Sequence, residues 1–155
     1  MNARLKARLS SDQGFTLIEL LVVIIILGIL LAIAVPSYLG LKDRADKSAA
    51  QSNIRALVPD IEQYNADNTP NASASTDPDY STSNSDSGYQ GISAANLTRY
   101  DASIDTSKYT FVGTATATDY CVYTQSGKWY AFKHGPSGKI DASTTAPTGL
   151  DSTCD

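Results

Sequence analysis

One nearly uninterrupted apolar stretch constrains this chain more than any other feature. Most of the 21 residues from Phe15 to Val35 are Leu, Ile, Val or Ala, and the only charged side chain among them is Glu19. At 1.5 Å per residue, a helix of this length reaches about 31 Å, enough to cross the hydrocarbon core of a bilayer. The stretch therefore predicts a membrane-spanning helix. It also raises a question about Glu19, since an acid near a bilayer centre costs about 2.5–3.5 kcal/mol.

The segment before the apolar stretch has the character of a secretory leader. It carries Arg4, Lys6 and Arg8, and positive charge of this kind stays on the cytoplasmic side of the membrane. In an ordinary signal peptide a short apolar core is followed by a small residue at the cleavage site, whereas here the small residue, Gly14, comes first. Cleavage at Gly14 would remove a leader of residues 1–14 and leave the apolar helix on the mature protein.

The helical pattern continues past the membrane-spanning part, predicted at 15–36, into an amphipathic half at 37–67. Apolar residues recur there at helical spacing, at Ala50, Ile54, Leu57, Val58 and Ile61. Gly28 and Pro36 are expected weak points, because glycine adds backbone freedom and proline removes a hydrogen bond. For the same reason Pro59 is expected to bend or locally break the helix.

Basic residues also lie on this amphipathic half, at Lys42, Arg44, Lys47 and Arg55. They alternate with acids, which is typical of a solvated, salt-bridged helix face. Because the chain also has a net charge of −4, no specific nucleic-acid partner is expected.

The remaining residues, 68–155, predict a small headpiece. A polar loop is expected at 69–87, followed by a short helix near Ser93–Tyr100. Three runs rich in aromatic and β-branched residues then predict strands, at 108–113, 119–124 and 128–134. Their short connections predict an antiparallel sheet of three to four strands packed on the amphipathic half of the helix, hence an α+β fold. Residues 135–155 are expected to be a loop.

The two cysteines, Cys121 and Cys154, both fall in the headpiece. An even number of cysteines in a membrane-anchored chain predicts one disulfide in an oxidising compartment. The only histidine, His134, has no nucleophile and base recognisably arranged around it, so an enzyme is not expected. No cofactor or metal is expected either. Asp141, Asp151 and Asp155 match no calcium-loop spacing.

The motif at residues 14–19, GFTLIE, stands between the basic leader and the apolar run, and it resembles the N-terminus of type IV pilins and their relatives. The resemblance implies that a prepilin peptidase cuts after Gly14 and methylates the new amino terminus at Phe15. It also implies a single-pass subunit of the cytoplasmic membrane. An assembly ATPase and an inner-membrane platform would then incorporate it into a helical filament of identical subunits.

The resemblance also gives Glu19 a role in assembly, in which it neutralises the amino terminus of a neighbouring subunit. It further implies that Gly28 and Pro36 bracket a stretch that loses helical order in the filament. A paired carboxylate recovers much of the desolvation cost of a lone one, so the pair would penalise docking that leaves either charge unpaired.

Three functions fit this resemblance. The first is a structural subunit of an extracellular type IV pilus, supporting adhesion, motility or DNA uptake. The second is a pseudopilin of a type II secretion or competence system, and the third is a minor pilin that binds a ligand. The cysteine pair favours a pilin, because many secretion pseudopilins lack such a pair and use calcium near the C-terminus.

Overall fold

The computed structural model describes residues 14–70, 86–149 and 154. It begins with a 51-residue helix, α1, from Leu17 to Asp67, two residues later than the predicted start at Phe15. The chain divides into two compact units, one ending at Leu41 and the other beginning at Lys42. The second half of α1 therefore belongs to the headpiece unit, whereas the sequence placed the start of the headpiece at residue 68.

The apolar half of α1 buries almost none of its side chains. Its large apolar residues range in exposure from 43% at Leu21 to 82% at Leu17. A helix that is hydrophobic all round needs surroundings of similar polarity. α1 is also the one helix in the described part of the chain that is long and apolar enough to cross a membrane.

Pro59 does not break α1, and the prediction of a local break there is wrong. Pro59 is exposed, while Leu57 and Ile61 on either side of it are buried. Burial of these neighbours in the core stabilises the helix against the hydrogen bond that proline removes. The helix is also continuous through Gly28 and Pro36, whose weakness in a filament stays a prediction.

The headpiece has a short helix and a four-stranded sheet. The elements after α1 are α2 (Ala94–Leu97), a 3-10 turn (Thr106–Lys108), β1 (Tyr109–Phe111), β2 (Cys121–Ser126), β3 (Trp129–His134) and β4 (Ile140–Ser143). All neighbouring strands are antiparallel and follow the order β1-β2-β3-β4. The predicted α+β fold, with a long helix and a small antiparallel sheet, is confirmed.

Strand β4 corrects the expectation that residues 135–155 form only a loop. It is antiparallel to β3, with Ile140 opposite Lys133 at one end and Ser143 opposite Tyr130 at the other. Ile140 and Ala142 pack against the core. β4 has one β-branched residue, Ile140, so its own strand propensity is low. Cross-strand pairing and packing therefore decide its structure.

The core lies between the second half of α1 and the sheet. Its buried members are Ala50, Ile54, Leu57, Ile61, Tyr64, Tyr89, Ile92, Leu97, Tyr120, Val122 and Ala131. Hydrogen bonds tie the end of α1 to the segment that follows the undescribed residues. The Asn68 side-chain amide donates to the carbonyl oxygens of Gly88 and Gln90 at 3.0 and 2.9 Å, and the Tyr64 hydroxyl donates to the Gln90 carbonyl at 2.7 Å.

Candidate assembly and processing site

Thr16 and Glu19 form a reciprocal cap at the start of α1. The Glu19 backbone N–H donates to Thr16 Oγ1 at 3.3 Å. The Thr16 backbone N–H and hydroxyl donate to Glu19 Oε2 at 3.4 and 3.3 Å. This is a capping box, in which two residues three apart satisfy the free donors at a helix N-terminus. The spacing was visible in the sequence, but the sequence reasoning considered only the charge of Glu19.

The cap gives the Glu19 carboxylate a partner within its own subunit. The carboxylate is exposed, and in the described residues it accepts hydrogen bonds from Thr16. A negative side chain in the first turn also interacts favourably with the helix dipole. Glu19 is therefore held near the helix N-terminus, and the same carboxylate remains open to a positive group from outside the chain.

Gly14 lies immediately before this cap, and its own surroundings do not require a glycine. A Cβ built at Gly14 would meet no atom within 4 Å, and Phe15 next to it is 88% exposed. Packing against the described residues therefore does not explain the small residue. This observation fits a residue selected by an enzyme that acts on the exposed segment.

The headpiece contains a disulfide between Cys121 and Cys154, whose Cα atoms are 5.8 Å apart. Both cysteines are buried. The backbone N–H groups of Thr148 and Gly149 donate to the Cys154 carbonyl at 3.0 and 3.3 Å. The bond therefore ties the end of the chain to β2, as the even cysteine count predicted.

The predicted salt-bridged face of α1 extends beyond the helix. Lys42 pairs with Asp46 at 3.4 Å within α1, whereas Asp43 pairs with Lys128 of the β2–β3 turn at 2.9 Å. The hydrogen bond from Lys128, and then that from Trp129, hold the pKa of Asp43 below its usual value. Sequence spacing could not have shown this contact, because it joins residues more than eighty positions apart.

The other candidate ligands form no metal site in the described residues. His134 is half-buried and pairs with Asp119, Nε2 to Oδ2, at 2.9 Å. Across residues 14–70, 86–149 and 154, no three His, Cys, Asp or Glu side chains are grouped to hold a metal ion. Of the three aspartates considered for calcium, Asp151 and Asp155 lie outside the described residues.

Comparison with known proteins identifies a family motif in the N-terminal region. Residues 9–35 match a family described as the prokaryotic N-terminal methylation motif. The chain is 45% identical over 62 residues to type II secretion system core protein G of Klebsiella michiganensis, covering 40% of this chain and 44% of that protein. It is 46% identical over 57 residues to the protein of the same name from Escherichia coli K12, covering 37% and 39%.

The chain is 42% identical over 62 residues to another protein of that name, from Vibrio cholerae, covering 40% of this chain and 42% of that protein. The chain thus spans less than half the length of these relatives. The search of solved structures found no match.

These observations first define the class: a protein with a prokaryotic N-terminal methylation motif and a helix long and apolar enough to cross a membrane. More particularly, the motif, the long helix on a small antiparallel sheet and the similarity over part of the chain to secretion protein G are features like those of the type IV pilin family. This is a family of structural subunits rather than of enzymes.

Proposed function

We propose that the chain is the repeating subunit of an extracellular type IV pilus. In this proposal it is cleaved after Gly14 and methylated at Phe15 by a prepilin peptidase. It then waits in the cytoplasmic membrane until an assembly ATPase and its platform move it into the fibre. The observation that carries the proposal is the combination of the GFTLIE motif with an α1 half whose apolar side chains are exposed on all sides. In water this apolar surface is unfavourable for a monomer, but lipid and neighbouring helices can each cover it.

The Thr16–Glu19 cap suggests how Glu19 is accommodated before and after assembly. In the unassembled subunit the Thr16 donors partly satisfy the carboxylate. Cleavage after Gly14 would create a positive amine on Phe15, and docking would bring that amine to Glu19 of a neighbour. A charged donor gives a stronger hydrogen bond than the neutral Thr16 donors. The pairing would therefore favour one register of subunit against subunit.

A pseudopilin of a type II secretion system is the second candidate function. The names of the relatives favour it, since all three are core protein G of such systems. Those matches leave more than half of this chain unaligned. The Cys121–Cys154 disulfide supports the pilus, because the resemblance associates such a cysteine pair with pilins.

The test is to shear fibres from the cell surface and measure the intact mass of their subunits. We expect a chain that begins at Phe15, carries one added methyl group and contains the disulfide. Gly14→Leu should retain the leader and give no fibres, whereas Gly28→Ala, which changes a glycine of α1 outside the motif, should be processed normally. Fibre subunits that still carry residues 1–14 would contradict the processing proposal. Absence of surface fibres, with secreted proteins lost on gene deletion, would favour the pseudopilin.

A further inference from the structure

The headpiece unit has an uneven charge distribution. Residues 1–41 carry three basic and two acidic side chains, so residues 42–155 have a net charge of −5. Four basic residues of that unit belong to the start of its helix or to the turn that contacts it: Lys42, Arg44, Lys47 and Lys128. With Asp43 and Asp46 included, this basic end has a charge of +2, and the rest of residues 42–155 has a charge of −7.

The β2–β3 turn contributes to the basic end because it is fixed against α1. Lys128 Nζ lies 2.9 Å from Asp43 Oδ1. The indole N–H of Trp129 donates to the same oxygen at 2.9 Å, and Lys47 Nζ lies 4.6 Å from the centroid of the Trp129 ring. At Gly127, where φ is 57°, a Cβ would overlap the Asp46 carboxylate. The turn therefore has both the backbone conformation and the close approach that require glycine.

The basic side chains of this end remain available to a ligand. The Lys42 and Lys128 side chains are 55% and 63% exposed, although each takes part in an ion pair, and Arg44 is exposed. Asp43 and Asp46 each face a lysine, so they neutralise part of the local charge. Because exposed ion pairs are weak, the lysines can turn toward another anion at little cost.

We propose that this basic end binds the phosphate groups of anionic lipids on the outer face of the membrane that α1 crosses, before the subunit enters a fibre. The proposal rests on the proposed function, since it requires an inserted subunit. Lys42 directly follows Leu41, the last exposed large apolar residue of α1, and headgroups directly follow the hydrocarbon core. Basic side chains near an anionic surface each add to binding, and tryptophan prefers this interface.

The acidic remainder of the headpiece supports the same arrangement. The rest of residues 42–155 has a net charge of −7 and is repelled by anionic lipid, whereas the basic end is attracted, so the two effects act in the same direction. Binding of this kind would set the depth of α1 in the membrane and would have to be released when a subunit is extracted.

The experiment uses Trp129, the only tryptophan of the chain, as the probe. The full-length mature protein is reconstituted in vesicles of phosphatidylcholine alone or of phosphatidylcholine with phosphatidylglycerol. We expect phosphatidylglycerol to reduce quenching of Trp129 fluorescence by acrylamide about twofold and to increase quenching by lipids brominated near the headgroup. Salt at about 0.5 M should reverse both changes, because it screens exposed charges.

Two matched variants separate the basic end from total charge. Lys42→Gln with Arg44→Gln and Lys128→Gln should abolish the effect of phosphatidylglycerol. Arg55→Gln with Lys108→Gln and Lys139→Gln removes the same charge elsewhere and should preserve it. Equal quenching of wild type in the two kinds of vesicle, or equal losses in the two variants, would overturn the proposal. Vesicle flotation reports insertion separately: if the protein fails to float with either vesicle, the proposed function itself is contradicted.

Discussion

The two halves of α1 belong to one helix, but they differ in the burial of their apolar side chains. Ile26 in the first half is 52% exposed, whereas Ile54 in the second half is fully buried. In the first half apolar residues point in every direction and stay exposed beside the other described residues. In the second half they form one face, and the headpiece covers it. The headpiece can therefore be stable by itself, while the first half requires a partner outside the chain.

The largest expected effect is on assembly and comes from Glu19 in the first half. Glu19→Ala should insert in the membrane and be processed, but fibres should be lost or become rare. The Phe15 amine of a neighbour would be buried without its partner, which costs about 3–5 kcal/mol per subunit. Fibre counts by microscopy, with immunoblots of membrane and sheared fractions, measure this effect.

Thr16→Ala is the matched control for the Glu19 variant. It removes the capping hydroxyl, which is worth about 1 kcal/mol, but leaves the carboxylate in place. It should therefore reduce fibres much less than Glu19→Ala. Normal fibre counts from Glu19→Ala would eliminate the pairing mechanism. Equal losses in the two variants would show that capping, rather than charge pairing, is what assembly requires.

The next largest effect lies in the headpiece and concerns its disulfide. Cys121 and Cys154 are separated by 33 positions, and closing a loop of that length stabilises the fold by about 4 kcal/mol in the chain-entropy model. Cys121→Ser with Cys154→Ser should lower the free energy of unfolding of the headpiece by that amount while the helicity of residues 17–41 persists.

Urea unfolding of the mature protein in detergent, followed by Trp129 fluorescence, measures the loss. Hydrogen exchange should rise first at Thr148 and Gly149, whose amides bond to Cys154. Wild type under reducing conditions is the control and should behave like the double variant. A loss below about 1 kcal/mol would mean that the disulfide does not hold the end of the chain.

Sequence reasoning was accurate where local pattern and tertiary packing agree. β2 and β3 were predicted at 119–124 and 128–134 and lie at Cys121–Ser126 and Trp129–His134, because aromatic and β-branched residues both favour strands and fill the core. It failed at β4, whose structure depends on pairing with β3, and at Pro59, where core packing outweighs the local preference. The first half of α1 was predictable from composition because its apolar side chains are exposed, so packing within the described residues does not override that signal.

The candidate site and the basic end also differ in how far a local sequence pattern predicts them. Gly14, Phe15 and Glu19 are candidates that one contiguous motif predicts, and the Thr16–Glu19 cap could have been predicted from its spacing. The contact of Trp129 with Asp43 spans 86 positions and depends on where the β2–β3 turn meets α1. No local pattern contains that information, so the basic end became visible only in the folded chain.

The third prediction makes the same substitution in both halves of α1. Ile54→Ala should destabilise the headpiece by about 2–5 kcal/mol, because it leaves a cavity in the core. Ile26→Ala, in the exposed half, should leave headpiece unfolding within about 0.5 kcal/mol of wild type. Both values come from urea unfolding in the same detergent. Similar losses from the two substitutions would contradict the division of α1 into a self-sufficient half and a partner-dependent half.

The smallest effect is that of one hydroxyl group in the headpiece, on Tyr120. The side chain is fully buried, and its hydroxyl has no hydrogen-bond partner among the described residues. Burial raises its pKa above the usual value, with Glu62 adding to the shift. The folded state therefore keeps the neutral phenol, while the unfolded chain ionises near pH 10. The stability that depends on the neutral form is complete below pH 10 and declines as the pH rises above it. At pH 11 wild type should lose about 1.4 kcal/mol through this residue alone.

Tyr120→Phe should be about as stable as wild type at pH 7, since it removes an unpaired group, and should be more stable than wild type by about that amount at pH 11. Tyr38→Phe, a change of the same kind at an exposed position of the first half, is the control and should not alter the pH dependence of headpiece unfolding. If Tyr120→Phe and wild type lose equal stability between pH 7 and pH 11, the Tyr120 hydroxyl is not held neutral in the folded headpiece.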